Sequence, residues 1–372
     1  MPDKHTLVIG LMSGTSLDGM DLALAAIGER KFEILAFQDF PFEAAFQDQL
    51  RQFLLAKTFS PAAFISWHVQ LGIRMGQNIA EFVRQTGTQQ VAAVGVHGPT
   101  FFHQPHENPN HNGTFQLGSP AHIHAHCHLP IISDLRNGDM AFGGQGAPLV
   151  PFLEHYFFQD PNQDRLFVNL GGIANATFLP RETQPVLAYD TGPANMILDF
   201  LVQTQNGGRM DEDGKMARSG RIIPSLLAHW LAHPYFAIQP PKSTGRELFN
   251  QDFCSGAQNY SLADQLATAT ELTALSLCNS IVMSESTFYN QRVFDPIFLS
   301  GGGAKNGFLC QRLKHHLPGR HWTTTRELGL DASAKEALLM ALLAYAHVHG
   351  IPANIPSVTG ARQKVVLGSR TG

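Results

Sequence analysis

Residues 10–21 read Gly10-Leu11-Met12-Ser13-Gly14-Thr15-Ser16-Leu17-Asp18-Gly19-Met20-Asp21. They lie between two apolar runs, Leu7-Val8-Ile9 and Leu22–Ile27. The pattern predicts a strand over Thr6–Ile9, a polar turn, and a second strand over Asp21–Ile27. Three glycines, three hydroxyls and two carboxylates fall within these twelve residues. Glycine lets the backbone approach a ligand with no Cβ in the way. Successive N–H groups flanked by hydroxyls make a concavity for anions. Carboxylates beside a phosphate require a cation or an activated water between them. The stretch therefore reads as a phosphate-and-metal turn on a β-hairpin, a feature of nucleotide-dependent phosphoryl transfer.

The second half of the chain repeats the unit. Leu166–Leu170 and Ala176–Leu179 flank Gly171-Gly172-Ile173-Ala174-Asn175. Val186–Tyr189 is a further strand ending at Asp190-Thr191-Gly192-Pro193-Ala194-Asn195, and a helix starts at Met196. Apolar spacing predicts helices over Phe42–Leu55, Pro61–Gln85, Pro120–Cys127, Ala263–Tyr289 and Ser333–Val348. Short buried strands are expected at Val91–Val96, Pro130–Ser133 and Pro296–Leu299. Strands alternating with helices in both halves predict two related α/β lobes with a cleft between them. The expected division is 1–133 for the first lobe and 134–349 for the second, with the tail 350–372 packing back on the first. Gly207–Ser219 and Pro234–Thr244 read as surface loops or lids.

Composition narrows the class. The 372 residues are 44% hydrophobic and only 15% charged, which predicts a well-buried globular protein. Net charge is −4 and no basic stripe occurs, so nucleic acid is excluded as a partner. Cys127, Cys254, Cys278 and Cys310 form no CxxC pair and read as reduced thiols of a cytoplasmic protein. The N-terminus lacks the marks of an export signal. The longest apolar stretch, Ala337–Ala346, is too short to span a bilayer, so no membrane is expected.

Four further motifs carry chemistry. Gly171-Gly172, paired with the opening turn, suggests a second phosphate hairpin. Asp190 stands where a strand meets a helix. A carboxylate there, above a helix N-terminus that attracts anions, suits a base that deprotonates an acceptor. The alternative is an ordinary N-cap. Gly301-Gly302-Gly303 follows a buried strand and has neither P-loop nor GxGxxG spacing. It lets a flat ring such as adenine lie against backbone, or it is a plain strand–helix turn. Lys242-Ser243-Thr244-Gly245-Arg246-Glu247 is either a charged loop or a lid presenting cations. The histidines of His122–His128 would spread around a helix, which argues against a metal cluster.

Taken together, GLMSGTSLDGMD (10–21), HG (97–98), GGQGAPLVP (143–151), NLGGIAN (169–175), DTGPAN (190–195), KSTGRE (242–247) and SGGGAKN (300–306) resemble the anhydro-N-acetylmuramic acid kinases. That family belongs to the sugar kinase, heat-shock ATPase and actin superfamily, which implies two lobes of the actin-like, ribonuclease H-like type. The resemblance implies ATP and Mg²⁺ as cofactors and 1,6-anhydro-N-acetylmuramic acid as the small-molecule partner, with homodimerisation left open. It implies that Gly14, Thr15, Ser16, Leu17, Asp18, Gly19, Met20 and Asp21 form the ATP-binding turn, with Asp18 toward the metal. Gly171, Gly172, Gly301, Gly302 and Gly303 would complete the nucleotide site. Asp190 matches the base that activates water, while His97, Arg136 and Glu336 would contact the sugar. The chain has Pro99 where the family often has glutamine, and Leu135 where it often has phenylalanine.

Overall fold

The computed structural model describes residues 5–372 apart from Thr15, Glu107, Glu182, Thr183 and Arg246. Two residues of the expected motifs, Thr15 and Arg246, thus lie outside the described residues. The chain divides into two compact units, Met1–Phe158 with Ser333–Gly372, and Gln159–Ala332.

The first unit opens with β1 (Thr6–Met12), β2 (Gly19–Gly28) and β3 (Lys31–Pro41), an antiparallel meander. Helices α1 (Ala44–Leu55) and α2 (Pro61–Thr86) follow. The start of α2 is set by Ser60, whose side chain accepts from the Ala63 N–H at 3.1 Å, and its end by Gly87 at φ +66°. Next come β4 (Ala93–His97), the hairpin β5 (Thr100–Gln104) and β6 (Gly113–Gln116), α3 (Pro120–Cys127), β7 (Ile131–Ser133), α4 (Asn137–Ala141) and α5 (Val150–Phe158). The core of this unit gathers Ile9, Leu11, Leu22, Leu71, Met75 and Val94 between sheet and helices.

The second unit begins with β8 (Arg165–Leu170), β9 (Ile173–Leu179) and β10 (Leu187–Pro193), again an antiparallel meander. It continues with α6 (Asn195–Asn206), α7 (Lys215–Ser219), α8 (Pro224–Leu231), α9 (Leu262–Phe288), β11 (Ile297–Ser300), α10 (Gly307–His316) and β12 (Trp322–Thr324). Among the described residues α9 is the helix long and apolar enough to cross a membrane, yet 78% of its apolar window is buried inside the protein. It is the central core helix of this unit, packed by α6, α7, α8 and α10. The chain then re-enters the first unit as α11 (Lys335–Val348), α12 (Pro356–Thr359) and β13 (Ser369–Thr371).

The two sheets share one topology. The first has the order β13-β7-β4-β1-β2-β3 and the second β10-β9-β8-β11-β12. In each, three antiparallel strands are followed by two more, both parallel to the first strand of the meander. This is the ribonuclease H-like unit expected, occurring twice. The first copy adds β13 at an edge and the β5–β6 hairpin as an insertion.

The division between units differs from the expected one. Residues 134–158 and 333–349 belong to the first unit, because α5 packs on α11 and α11 lies across β1, β2 and β4. Gly10 makes that contact possible. A Cβ there would stand 1.8 Å from the Ala337 carbonyl oxygen and 2.4 Å from the Ala341 nitrogen. The first glycine of the opening motif is therefore a packing residue inside β1, and the polar turn contracts to residues 13–18. Gly10→Ala is expected to force α11 off the sheet and destabilise the protein by about 1–3 kcal/mol, read as a lower urea midpoint at unchanged m-value.

The expected surface loops are also more ordered than the sequence suggests. Gly207–Ser219 contains α7, whose first N–H groups at Met216 and Ala217 both bond to the Asp211 carboxylate at 2.9 Å. The four cysteines are all free. The histidine-rich segment forms α3, and His122, His124 and His126 each spend Nδ1 on a local partner, Ser119 Oγ, Leu129 O and His122 O.

Candidate active site

In the first unit, Ser13 leaves β1 and fastens the turn at both sides. Its N–H donates to the His97 carbonyl at 2.9 Å and its hydroxyl to the Gly19 carbonyl at 2.8 Å. The Leu17 N–H donates to the Gly14 carbonyl at 3.3 Å, closing a tight bend with Leu17 at φ +55°. The Leu17 and Met20 side chains are buried in the core, so either residue could meet a nucleotide only through its backbone. Gly19 lies in β2 against Phe40 of β3. Over Gly14 there is open space, since the nearest atom to a hypothetical Cβ is Ser16 Oγ at 3.9 Å. Exposed Asp18 accepts from Ser16 Oγ at 2.6 Å.

Four carboxylates share this end of the unit. Burial first, then the charges of Asp18, Glu336 and Asp39, push the Asp21 carboxyl up to about 6. Burial also raises Glu336, which Lys335 and Arg136 oppose. Like charges gathered this way suit a bound cation. Among the described residues, however, no three His, Cys, Asp or Glu side chains converge closely enough to hold a metal by themselves.

His97 and Arg136, both expected to contact the sugar, are paired. Arg136 Nε donates to His97 Nε2 at 2.9 Å, and its Nη1 donates to the Gly146 carbonyl at 2.7 Å. Burial and the neighbouring guanidinium lower His97 to about 3, so the ring is neutral and Nε2 is free to accept. His97 Nδ1 is buried without a hydrogen-bond partner. Burial brings Arg136 down to about 10, with Glu336 pulling it back up. A cavity of about 250 Å³ opens beside this pair, lined by His97, Thr114, Gln116, Asp134, Leu135 and Asn137.

In the second unit three motifs meet at Leu170. The Gly171 and Gly172 carbonyls accept from the N–H groups of Ala194, Asn195 and Met196 at 2.9–3.1 Å. Asn195 Nδ2 donates to the Leu170 and Gly171 carbonyls. The start of α6 is thus already bonded to the hairpin, which corrects the expectation of an anion-attracting helix N-terminus there. Gly301, at φ +82°, and Gly303 are held against Leu170, where a Cβ would come within 2.7 Å. Of the triplet, Gly302 alone has room, its nearest neighbour being Asn195 Nδ2 at 3.6 Å.

Asp190 sits inside β10, not at its end. It pairs with Asn175 at a bulge that shifts the register between Asp190 and Gly192. A bulge re-aims a side chain out of the ladder. One carboxylate oxygen accepts from the Thr244 N–H at 3.0 Å. The backbone of Asp190 is fixed too, its N–H donating to Lys242 O at 3.2 Å and its carbonyl accepting from Tyr235 Oη at 2.7 Å. Burial raises the carboxyl to about 6, against the Thr244 bond and with help from Glu247.

Pro234–Thr244 is therefore no free lid, because it docks on Asp190. Lys242 Nζ donates to the Tyr235 carbonyl at 3.2 Å and stands 4.6 Å from the Tyr235 ring, so its charge is engaged within the unit. Tyr235 escapes sequence reasoning, and Thr244 is legible there only as part of a charged loop, because both reach Asp190 from about fifty residues away with no periodic signal between.

The comparisons with known proteins identify the family of the chain. The profile of the anhydro-N-acetylmuramic acid kinase family matches residues 6–372. This chain is a member of the anhydro-N-acetylmuramic acid kinase family. A curated family member from Bacillus cereus (strain AH820) is 36% identical over 379 residues, covering 98% of each chain. One from Vibrio parahaemolyticus is 38% identical over 369 residues, again covering 98% of each. Among solved structures, the Acidaminococcus fermentans (R)-2-hydroxyglutaryl-CoA dehydratase component A is similar at a TM-score of 0.45 and 13% identity, over 92% of this chain and 99% of that one.

Proposed function

We propose that this chain is an ATP-dependent sugar kinase converting 1,6-anhydro-N-acetylmuramic acid and water to N-acetylmuramic acid 6-phosphate in peptidoglycan recycling. The observation that carries the reading is Asp190, a largely buried carboxylate raised to about 6 and aimed by a bulge, in a chain matched by the family over residues 6–372. A base with that character is charged at neutral pH and takes up a proton readily. Asp190 would accept a proton from water as the water oxygen bonds to the anomeric carbon. The bond from that carbon to the bridging 6-oxygen breaks, the 6-oxygen takes the γ-phosphoryl group, and ADP departs.

The turn at Gly14–Asp18 would hold phosphate through backbone N–H groups, and in the second unit Gly171, Gly172 and Gly302 would approach a nucleotide. Arg136, His97 and Glu336 would hold the sugar, whose carboxylate suits a guanidinium. The crowding of Asp18, Asp21 and Glu336 fits Mg²⁺. With no three-ligand cluster among the described residues, Asp18 and Asp21 would hold it together with phosphate oxygens and water. When bound, Mg²⁺ would neutralise charge on the transferring phosphoryl group. A need for ATP supports a cytoplasmic location for the reaction.

The test is a coupled ADP assay with the anhydro sugar, scored beside reducing-end formation. The expected result is one new reducing end per ADP. Turnover with an ordinary hexose or amino sugar in preference, or ADP without a new reducing end, would refute the anhydro-sugar assignment.

A further inference from the structure

The segment Gly143-Gly144-Gln145-Gly146 has no part in the chemistry above, yet it touches Arg136. Its backbone closes over Asp139 of α4, a carboxylate with no exposed surface. One Asp139 oxygen accepts from the Gly146 N–H at 2.8 Å. The other accepts from Asn354 Nδ2 at 2.8 Å and from Thr359 Oγ1 at 2.7 Å. A buried carboxylate is costly unless donors satisfy it, and here three donors from two segments converge. The fit leaves no slack, since a Cβ on Gly144 would lie 2.1 Å from the Asp139 oxygen.

Gly146 then faces two ways. Its N–H is held by Asp139, and its carbonyl accepts from Arg136 Nη1 at 2.7 Å. With His97 holding Nε, the guanidinium is pinned at two of its three nitrogens. The C-terminal segment tightens the same loop. The Gln145 N–H donates to the Thr359 carbonyl at 2.8 Å, and the Arg362 N–H to the Phe142 carbonyl at 2.9 Å. Residues more than 200 positions downstream thus determine where the Gly146 carbonyl stands.

We propose that Asp139 is a positioning residue for Arg136, and that Asn354 and Thr359 of the C-terminal segment are parts of the same device. The proposal rests on the reading of Arg136 as a sugar contact. Asp139 touches neither ATP nor sugar. It sets the loop that sets the guanidinium, and fixed donor geometry is what a bidentate contact to a carboxylate requires.

Asp139→Asn is expected to raise the KM for the anhydro sugar at least tenfold and to leave the KM for ATP within twofold. In an Arg136→Gln background the same change adds less than twofold, because the group it positions is gone. Thr359→Val repeats the effect at smaller amplitude, and Thr359→Ser, which keeps the hydroxyl, stays at wild-type values. These two variants carry the test if Asp139→Asn does not fold. A merely structural role lowers thermal stability while the sugar KM of the folded protein stays put. A sugar KM within twofold of wild type in Asp139→Asn or Thr359→Val overturns the proposal, as does full additivity with Arg136→Gln. If Arg136→Gln leaves the sugar KM unchanged in an enzyme that wild type shows to be active, the reading of Arg136 fails first and the positioning role falls with it.

Discussion

Asp190→Asn is expected to lower kcat by about 10³-fold while the sugar KM changes little, a loss typical of a missing general base. Asparagine keeps the shape of the side chain, and its oxygen can still accept from the Thr244 N–H. What it cannot do is accept a proton from water. The pH profile checks the assignment independently. Asp190 is raised to about 6, so wild-type kcat should climb with pH below about 6 and level off above it. Stability has the opposite dependence. A carboxyl raised on folding holds its proton more tightly in the native protein than in the unfolded chain. Its contribution to stability is complete below the unfolded value near 3.8 and is lost as pH rises through about 6. Asp190→Asn should therefore melt slightly above wild type at pH 8, with the difference gone at pH 3.5. Retention of more than a tenth of kcat, at a sugar concentration that saturates both proteins, would remove Asp190 from the mechanism.

Lys335→Met is expected to cost about 3–5 kcal/mol, the range for breaking a buried ion pair from one side. The Lys335 ammonium lies 2.6 Å from a Glu154 oxygen, and both side chains are buried. The second Glu154 oxygen has no partner, so methionine would leave a carboxylate stranded among apolar neighbours. For a unit of this size the loss corresponds to roughly 10 °C in melting temperature. The double variant Lys335→Met/Glu154→Leu should recover most of it, because apolar replacement of both partners removes the desolvation penalty as well. Additive losses in the double variant would show that the pair is not the source. The pair joins α5, the last helix before the chain leaves the first unit, to α11, the first after it returns. Glu336 is the next residue along α11, so the single variant should also weaken sugar-dependent turnover in whatever protein remains folded.

Much of the fold was legible because strands and helices leave periodic marks. Strict apolar runs located both meanders, and α3 fell on the predicted residues, Pro120–Cys127. The opening turn was read too long. Gly10 and Gly19 resemble turn residues in sequence, but the β1–β2 ladder takes in Gly10 and extends to the pair Met12–Asp21, and Gly19 pairs with Pro41 of β3. Gly10 is glycine for the sake of a helix more than 300 residues away, a requirement no local window contains. The same holds for the glycine triplet, where two members answer to Leu170.

For the candidate site, residue types and motif spacing by themselves singled out a hydroxyl-rich glycine turn and a carboxylate in DTGP, while Arg136 came from the family resemblance alone. They also determined the class of fold and the family, since composition, alternation and motif order survive as linear information. Tertiary structure decided what each group can do. Burial raises Asp190 to about 6 and a β-bulge re-aims its strand, and a neutral His97 and the Gly146 carbonyl pin Arg136. The N–H groups at the start of α6, expected to attract an anion, are spent on the Gly171 and Gly172 carbonyls. Proton affinity and donor direction depend on desolvation and on partners brought in from distant segments, and only the folded chain supplies those.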